Sequence, residues 1–263
     1  MADVLERLSD YLEEAHTNFI AAYRLLALAA PDGETAEVDG CSLAITGVRE
    51  AEFNRAFVMN RPADAPALLK TLLERFAGRD LPWMLVAGPA AATAVAIAAR
   101  GAGLRVGPTA PVMMLAPLRG EPPAVEGLAI DVVDGPALGE IFAAIHAGGF
   151  GIPKELAALF VAPGIRDTPG LTHYVGWLHG RPAATASRVT TGRVAGLYNI
   201  ATAAEFRGRG IATAITWQAA LDGIAEGCEV SVLQASAMGY RVYQAMGFQQ
   251  VADYRSWYWL GRA

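Results

Sequence analysis

The sequence predicts an α/β protein in two halves, each a sheet covered by helices. Three observations carry that expectation. Apolar runs of strand length alternate with runs of helical period along the whole chain. One stretch, Leu197–Gly227, reads as a complete strand, glycine turn and helix (LYNIATAAEFRGRGIATAITWQAALDGIAEG). Apolar residues make up 53% of the 263 residues and charged ones 18%, which is enough for a large buried core and too long a chain for one ordinary domain.

In the first half, apolar residues from Leu5 to Leu26 recur at helical spacing and predict one long amphipathic helix over Val4–Ala29, stopped by Pro31-Asp32-Gly33. Strand-like runs follow at Cys41–Thr46 and Ala51–Met59. A helix over Ala65–Phe76 has Asp64 placed to cap it. Pro82–Gly88 reads as a buried strand, Ala90–Arg100 as a helix and Val112–Leu115 as a last strand. The breaker-rich Arg119–Pro123 is the expected linker, dividing residues 1–118 from 124–263. Beyond it come a strand (Leu128–Val133), a helix (Pro136–His146), a glycine joint (Gly148–Gly151) and a short helix from Pro153. His173–Leu178 and Pro182–Val189 make a hairpin around His179-Gly180-Arg181.

The chain is organised around Leu197–Gly227. Leu197, Ile200 and Ala201 form its strand, which breaks at Thr202–Glu205 and turns through Arg207-Gly208-Arg209-Gly210. Ala214, Trp217, Leu221, Ile224 and Ala225 form the apolar stripe of the helix, and Gly227 stands at its left-handed end. The first turn of a helix carries N–H groups without intrahelical partners, at the positive end of the dipole. Gly208 and Gly210 remove the Cβ atoms that would hold a ligand off those amides, and Arg207 and Arg209 add positive charge. Such a turn suits a di- or polyphosphate; the alternative is a tight turn whose glycines serve geometry alone. The chain has no Gly-Lys followed by Ser or Thr, so it carries no P-loop. A dinucleotide fingerprint requires glycine where Thr213 stands and an acid where the next strand ends in Leu233-Gln234-Ala235.

What remains is Arg207-x-x-Gly210-x-Ala212, which resembles the acetyl-CoA pyrophosphate loop of the GNAT family of N-acetyltransferases. After the helix come a strand, Glu229–Gln234, and then Tyr243-x-x-x-Gly247-Phe248, similar to the short helix and turn that close the cofactor cleft in that family. Ser236 replaces the Asn usual at the start of this segment. The order β-α-α-β-β-β-α-β-α-β over residues 124–263 matches the GNAT topology. The resemblance therefore implies a mixed, mostly antiparallel sheet flanked by helices.

It also implies an acetyl-CoA-dependent N-acetyltransferase acting on a primary amine of a small molecule or peptide, by direct attack in a ternary complex. On that reading Ile200, Ala201 and Thr202 pair with the pantetheine, and an amide of their strand polarises the thioester. Arg207, Gly208, Arg209 and Gly210 hold the pyrophosphate with the first helical turn, Ile211, Ala212 and Thr213, and Ser236 adds a cofactor contact. Tyr243 borders the cofactor and is the expected general acid, since a phenol keeps its proton at neutral pH and can give it to a thiolate; the alternative is a half-buried packing residue. The strand offers Tyr198 and Asn199 where many members of the family carry a Glu base, which leaves the base open: a water held by Asn199 and backbone carbonyls is one candidate, Glu205 in the loop reads as solvent-facing, His146, His173 and His179 read as structural or surface residues, and Tyr198 and Asn199 could equally line the acceptor cleft. The acceptor site is expected beside Phe150, Trp177 and Tyr198, completed by Trp257 and Tyr258 of the strand Tyr254–Trp259. Core packing is the alternative for Trp177. The missing base keeps two other readings open: an acyl-CoA sensor without turnover, and a structural protein that dimerises through its first half.

A net charge of −5 disfavours nucleic acid and acidic membranes as partners. The N-terminus is acidic and amphipathic, unlike a secretory leader, and Ala90–Ala99 is too short to span a bilayer. Cys41 and Cys228 stand far apart without metal-ligand spacing. A soluble cytoplasmic protein without a metal is the expectation. Val95–Ala116 also aligns with Gly239–Leu260, placing Gly103-Leu104 on Gly247-Phe248 and Ala99 on Tyr243. The first half is thus read as a decayed GNAT-like repeat, an unrelated α+β domain being the alternative. It lacks the arginine–glycine loop, and Gly88-Pro89 before its helix offers few amides. One acetyl-CoA per chain is expected, with the first half kept for packing, as cover for a sheet edge or as a homodimer contact.

Overall fold

Residues 2–117 and 121–261 are described in this computed structural model, with side chains from residue 6 onward at the N-terminus. The chain forms two units, and they do not follow the expected halves. One comprises Ile20–Val112 and Ala252–Ala263; the other comprises Met1–Phe19 and Met113–Val251. The linker expected at Arg119–Pro123 lies partly outside the described residues. The single helix expected over Val4–Ala29 is two, α1 (Ala2–Ser9) and α2 (Leu12–Ala29). The break falls at Asp10-Tyr11, where the Tyr11 hydroxyl donates to Glu229 at 2.7 Å.

In the smaller unit, β1 (Glu34–Val38), which the sequence reading missed, pairs antiparallel with β2 (Cys41–Ile45), and β2 pairs with β3 (Asn54–Val58). The strand expected over Ala51–Met59 begins instead as a 3-10 turn, Ala51–Phe53. Helix α3 (Ala65–Ala77) leads to β4 (Trp83–Ala87), which runs parallel to β3, then to α4 (Ala92–Gly101) and β5 (Arg105–Leu115). Apolar alternation seats Leu43, Ile45, Val58, Leu72 and Trp83 in one core, where the Phe76 and Trp83 rings stack at 4.6 Å.

In the larger unit, β6 (Leu128–Val132) precedes α5 (Pro136–Phe150), α6 (Lys154–Ala158) and α7 (Pro163–Arg166). The strands β7 (Leu171–Leu178), β8 (Arg181–Thr191) and β9 (Val194–Thr202) follow as an antiparallel run joined to β6. Helix α8 (Ile211–Ala225) connects β9 to β10 (Val230–Gln234), parallel to it, and α9 (Tyr240–Ala245) connects β10 to β11 (Gln249–Trp259). Gly148–Phe150 forms the last turn of α5 rather than a joint, and the helix ends at Gly151 with φ 68°. The helix continues through Gly149 because a Cβ there would stand 2.5 Å from that of Ala201, a close approach only glycine permits. The face α8 buries also differs from the expected stripe. Of that stripe Ala214 and Trp217 are buried, while Leu221, Ile224 and Ala225 are exposed, and Ile215, Ala219, Ala220 and Gly223 complete the buried face. A close approach sets that face: a Cβ on Gly223 would lie 2.6 Å from Ala195 Cβ. Below the helix, Tyr174 Oη donates to Asp222 at 2.9 Å, and the buried Arg188 bonds Glu226 and Thr172, anchoring the C-terminal half of α8.

The expected repeat has a geometric counterpart. β5 and β11 are each eleven residues long and begin 144 positions apart, at Arg105 and Gln249. The turns before them carry matching bonds: Gly103 N–H to Arg100 and Leu104 N–H to Ala99, against Gly247 N–H to Gln244 and Phe248 N–H to Tyr243. Both glycines have positive φ, 76° and 97°. The strands are also exchanged. In the smaller unit β4 neighbours the Ala252–Trp259 part of β11, and in the larger unit β10 neighbours the Met113–Leu115 end of β5. Residues of the first half thus stand beside β10.

Helix α2 is tied to the larger unit by Asn18, which is fully buried. Its Nδ2 donates to the Val189 carbonyl and Thr191 Oγ1, both at 2.8 Å, and its Oδ1 accepts from Tyr198 Oη at 2.6 Å. Asn18→Ala strands these groups without partners and is expected to lower unfolding free energy by about 1–3 kcal/mol in urea titration, whereas an exposed α2 substitution such as Glu13→Ala leaves the midpoint nearly unmoved.

Candidate active site

The site begins where β9 leaves β10. Their parallel pairing covers Val194↔Val230, Ala195↔Ser231 and Gly196↔Val232, after which β9 runs on to Thr202 held by β8 alone. A bulge sharpens the departure. Ser187 pairs with Tyr198 and Thr185 with Ala201, so Asn199 and Ile200 together face Ala186. Asn199 takes φ 52°, a left-handed conformation that Asn tolerates better than most residues. The extra residue reverses the alternation of side chains. Leu197 and Ile200 both join the core cluster beneath α8, while Ala201 turns to α5, where Gly149 touches it.

At the end of β9 a 3-10 turn, Ala204–Phe206, delivers the chain to Arg207-Gly208-Arg209-Gly210. Gly208 and Gly210 have φ 74° and 78°, values that exclude most side chains on backbone grounds alone. Gly210 is the N-cap of α8 and supplies no side-chain cap; the first bond across the turn is Ala214 N–H to its carbonyl. The amides of Ile211, Ala212 and Thr213 therefore have no intrahelical acceptor. Arg207 Nε donates to the Thr202 carbonyl at 3.1 Å, Arg209 lies 6.0 Å over the Phe206 ring, and both guanidinium groups are exposed. Two buried polar atoms without partners mark the diverging strand ends: Thr202 Oγ1 on β9 and Gln234 Nε2 on β10. Thr202 was expected in the site. Gln234 was not; the only sequence signal was a polar residue closing an apolar strand.

Uncapped helix amides, glycines in left-handed conformation, two arginines and orphaned polar atoms at a strand gap fit the phosphates and amides of a coenzyme A chain. The smaller unit, with the same order of elements, offers the opposite. β3 and β4 stay paired through Val58↔Ala87, and Gly88 N–H adds a bond to the Val58 carbonyl at 3.0 Å. The helix that corresponds to α8 is α3, not α4, and Asp64 caps it by accepting from Ala67 N–H at 2.9 Å. A carboxylate already holds one of those amides. The sequence reading looked for that loop at Gly88-Pro89, one helix too late.

Tyr243 lies on α9 in the same cluster as Ile211 and Phe248, and burial pushes its phenol up to about 12. Ser236 Oγ accepts from Gly239 N–H at 3.1 Å, capping the turn into α9. Asn199 Nδ2 donates to Ser187 Oγ at 3.0 Å, and Tyr198 Oη is committed to Asn18. Phe150 is exposed on the last turn of α5, its ring 4.5 Å from that of His146. Trp177 packs half-buried against the α5 cluster, at the level of β7 whose neighbour Gly176 pairs with Ala184, itself opposite Thr202. The expected contribution of Tyr254–Trp259 is corrected: Trp257 and Tyr258 pair with Leu85 and Met84 in the smaller unit, and Trp257 is part of that core. Strand exchange takes them there. Among the described residues, no group of three or more His, Cys, Asp or Glu is placed to hold a metal ion, and no helix is long and apolar enough to cross a membrane.

Residues 142–248 match the model of the acetyltransferase (GNAT) family. Among solved structures, the chain is similar over 93% of its length to a GCN5-related N-acetyltransferase from Kribbella flavida, with TM-score 0.70, 19% identity and 96% of that chain covered. A tandem GNAT protein from the clavulanic acid biosynthesis pathway is similar over 95% of this chain and 96% of its own, with TM-score 0.61 and 17% identity. An acetyltransferase of the GNAT family from Novosphingobium aromaticivorans covers 91% and 97%, with TM-score 0.55 and 18% identity. A sequence search of curated proteins returns no match.

The α5 face of the site predicts acid lability. Burial holds both His146 and His173 down at about 4, well below the free value near 6.5. The folded state then binds fewer protons than the unfolded one between these values, so their contribution is complete above about pH 6.5 and is lost as pH falls toward 4. The urea midpoint should decline across that window, and His146→Leu should flatten the decline; an equally steep fall in that variant would contradict the assignment.

Proposed function

From residues 142–248 as a GNAT acetyltransferase domain, we propose that the protein moves an acetyl group from acetyl-CoA to the primary amine of a small molecule or peptide. One observation carries the reading: β9 parts from β10 after Gly196↔Val232, and the uncapped N-terminus of α8 follows at the mouth of the gap. Acetyl-CoA supplies a thioester whose sulfur departs with the C–S electron pair as the C–N bond to the amine forms. The amides of Ile211, Ala212 and Thr213, with Arg207 and Arg209, bind the pyrophosphate. Thr202 and the open edge of β9 meet the pantetheine, and Ser236 sets the turn on the far side of the cleft. Tyr243 Oη gives its proton to the departing sulfur. Its raised pKa keeps that proton in place throughout the neutral range. The amine's own proton leaves to water. The acceptor lies toward Phe150 and Trp177.

The paired β3–β4 edge and the Asp64 cap support a single cofactor per chain, bound by the larger unit. Calorimetry with acetyl-CoA should give a stoichiometry near one; a value near two would remove the argument from capping and pairing.

Tyr243→Phe should keep acetyl-CoA affinity and lose on the order of 10²-fold in turnover across an amine panel. Equal losses in binding and turnover would make the hydroxyl a binding group only. Tight binding by the wild type with no transfer to any amine would favour the sensor reading.

A further inference from the structure

The smaller unit is closed at Val58↔Ala87, where the larger one opens, but the opposite end of the same two strands is hollow. There a cavity of about 520 Å³ lies among the loop after β2, Pro82 before β4, the start of β5 and the end of β11. That volume falls within the range of small-molecule sites. The fully buried Asn54 builds the loop wall. Its Oδ1 accepts from the Thr46 and Gly47 amides, and its Nδ2 donates to the carbonyls of Val48, Glu50 and Pro82, at distances between 2.6 and 3.1 Å. The far wall depends on Gly107, where a Cβ would stand 2.8 Å from the Tyr258 ring. Glycine lets that ring lie against β5, and Tyr258 Oη donates to Glu52 at 2.9 Å.

Four charged side chains line the cavity, and two of them are already engaged. Arg49 Nη2 bonds Asp80 at 2.9 Å, and Glu52 accepts from Tyr258. Among the described residues, the side chains of Glu50 and Arg105 have no partner. They are opposite in sign and stand on opposite walls. β3, β4, β11 and β5 are consecutive in the sheet. Three strand steps, on the order of 14 Å, therefore separate the β3 side, which carries Glu50, from the start of β5 at Arg105. Pro82, Val106 and Leu260 add apolar surface, the last two exposed. We propose that this cavity binds a short apolar peptide, its carboxylate on Arg105 and its terminal ammonium on Glu50. A free α-amino acid carries both charges on one carbon and does not reach both walls, whereas a tripeptide spans on the order of 10 Å. The site belongs wholly to the smaller unit and does not depend on the acetyl-CoA reading of the larger one. It gives the unit without a cofactor gap a ligand of its own.

The test is calorimetry on the full-length protein without acetyl-CoA, with the tripeptide Leu-Gly-Leu as probe beside its N-acetyl form, its C-terminal amide and free leucine. One tripeptide per chain should bind, and each blocked form should bind about fivefold more weakly, as expected for charge contacts open to water. Arg105→Gln should weaken Leu-Gly-Leu as much as amidation does, remove the penalty for amidation and keep that for acetylation. Glu50→Gln should do the converse. Both side chains are exposed, and the Glu50 carbonyl that Asn54 uses is unchanged, so both variants keep the fold. Free leucine should bind more weakly than the tripeptide. No binding by the wild type, or leucine binding as tightly as the tripeptide, would overturn the proposal. So would penalties that persist unchanged in both variants, which would assign the peptide to another surface, the amine-acceptor side of the larger unit included.

Discussion

A strand in the middle of a sheet normally satisfies both edges, and β9 satisfies only one beyond Gly196. That constraint organises the larger unit. The β8 side must hold the strand alone, which it does with a ladder reaching Thr202, with Thr185 Oγ1 donating to the Asn199 carbonyl and with Asn199 Nδ2 donating to Ser187 Oγ. An unpaired backbone edge is costly when buried and a liability when exposed. The pantetheine proposed for this gap carries amides of its own and would resolve both problems.

The contrast between α8 and α3 shows how little separates an open helix end from a capped one. Both follow a strand and a loop, and both start with free amides. At α3 the Asp64 carboxylate accepts from Ala67 and places negative charge at the positive end of the dipole. At α8 two glycines hold the turn open and two arginines flank it. The C-terminal half of α8 is meanwhile fixed by Arg188 and Tyr174 through Glu226 and Asp222, so its N-terminus is presented on a rigid element.

The repeat explains why a unit without a cofactor gap is retained. β5 and β11 are equal in length and 144 positions apart in sequence, yet each places part of its length beside a strand of the other half. Neither half, cut at residues 118–124, contains a complete sheet. The first half carries no Arg-x-x-Gly-x-Ala loop, yet its last strand still stands beside β10.

Much of this was legible in the sequence because it depends on local chemistry. Glycine spacing, the arginines at 207 and 209, the Asp64 cap, the hairpin at His179-Gly180 and the turn at Gly247-Phe248 each follow from backbone preferences within a few residues. The parts the sequence hid depend on contacts between distant residues. Gly149 reads as a joint until Ala201 is placed against it, and Leu221 and Ile224 read as core until Gly223 is seen to set the buried face. Asn199 reads as a side chain in a cleft, and only the register against β8 shows it at a bulge, with its side chain bonded to Ser187. The destination of Trp257 is not written in its neighbours either, since strand exchange is a choice among edges of similar pattern. The sequence by itself determined most of the strands, turns and helices and the open, arginine-flanked glycine turn before α8, because those follow from short-range sterics and hydrogen bonding. Tertiary structure alone decided which edge stays open and which face each side chain takes, because pairing and close packing join residues that the chain keeps far apart.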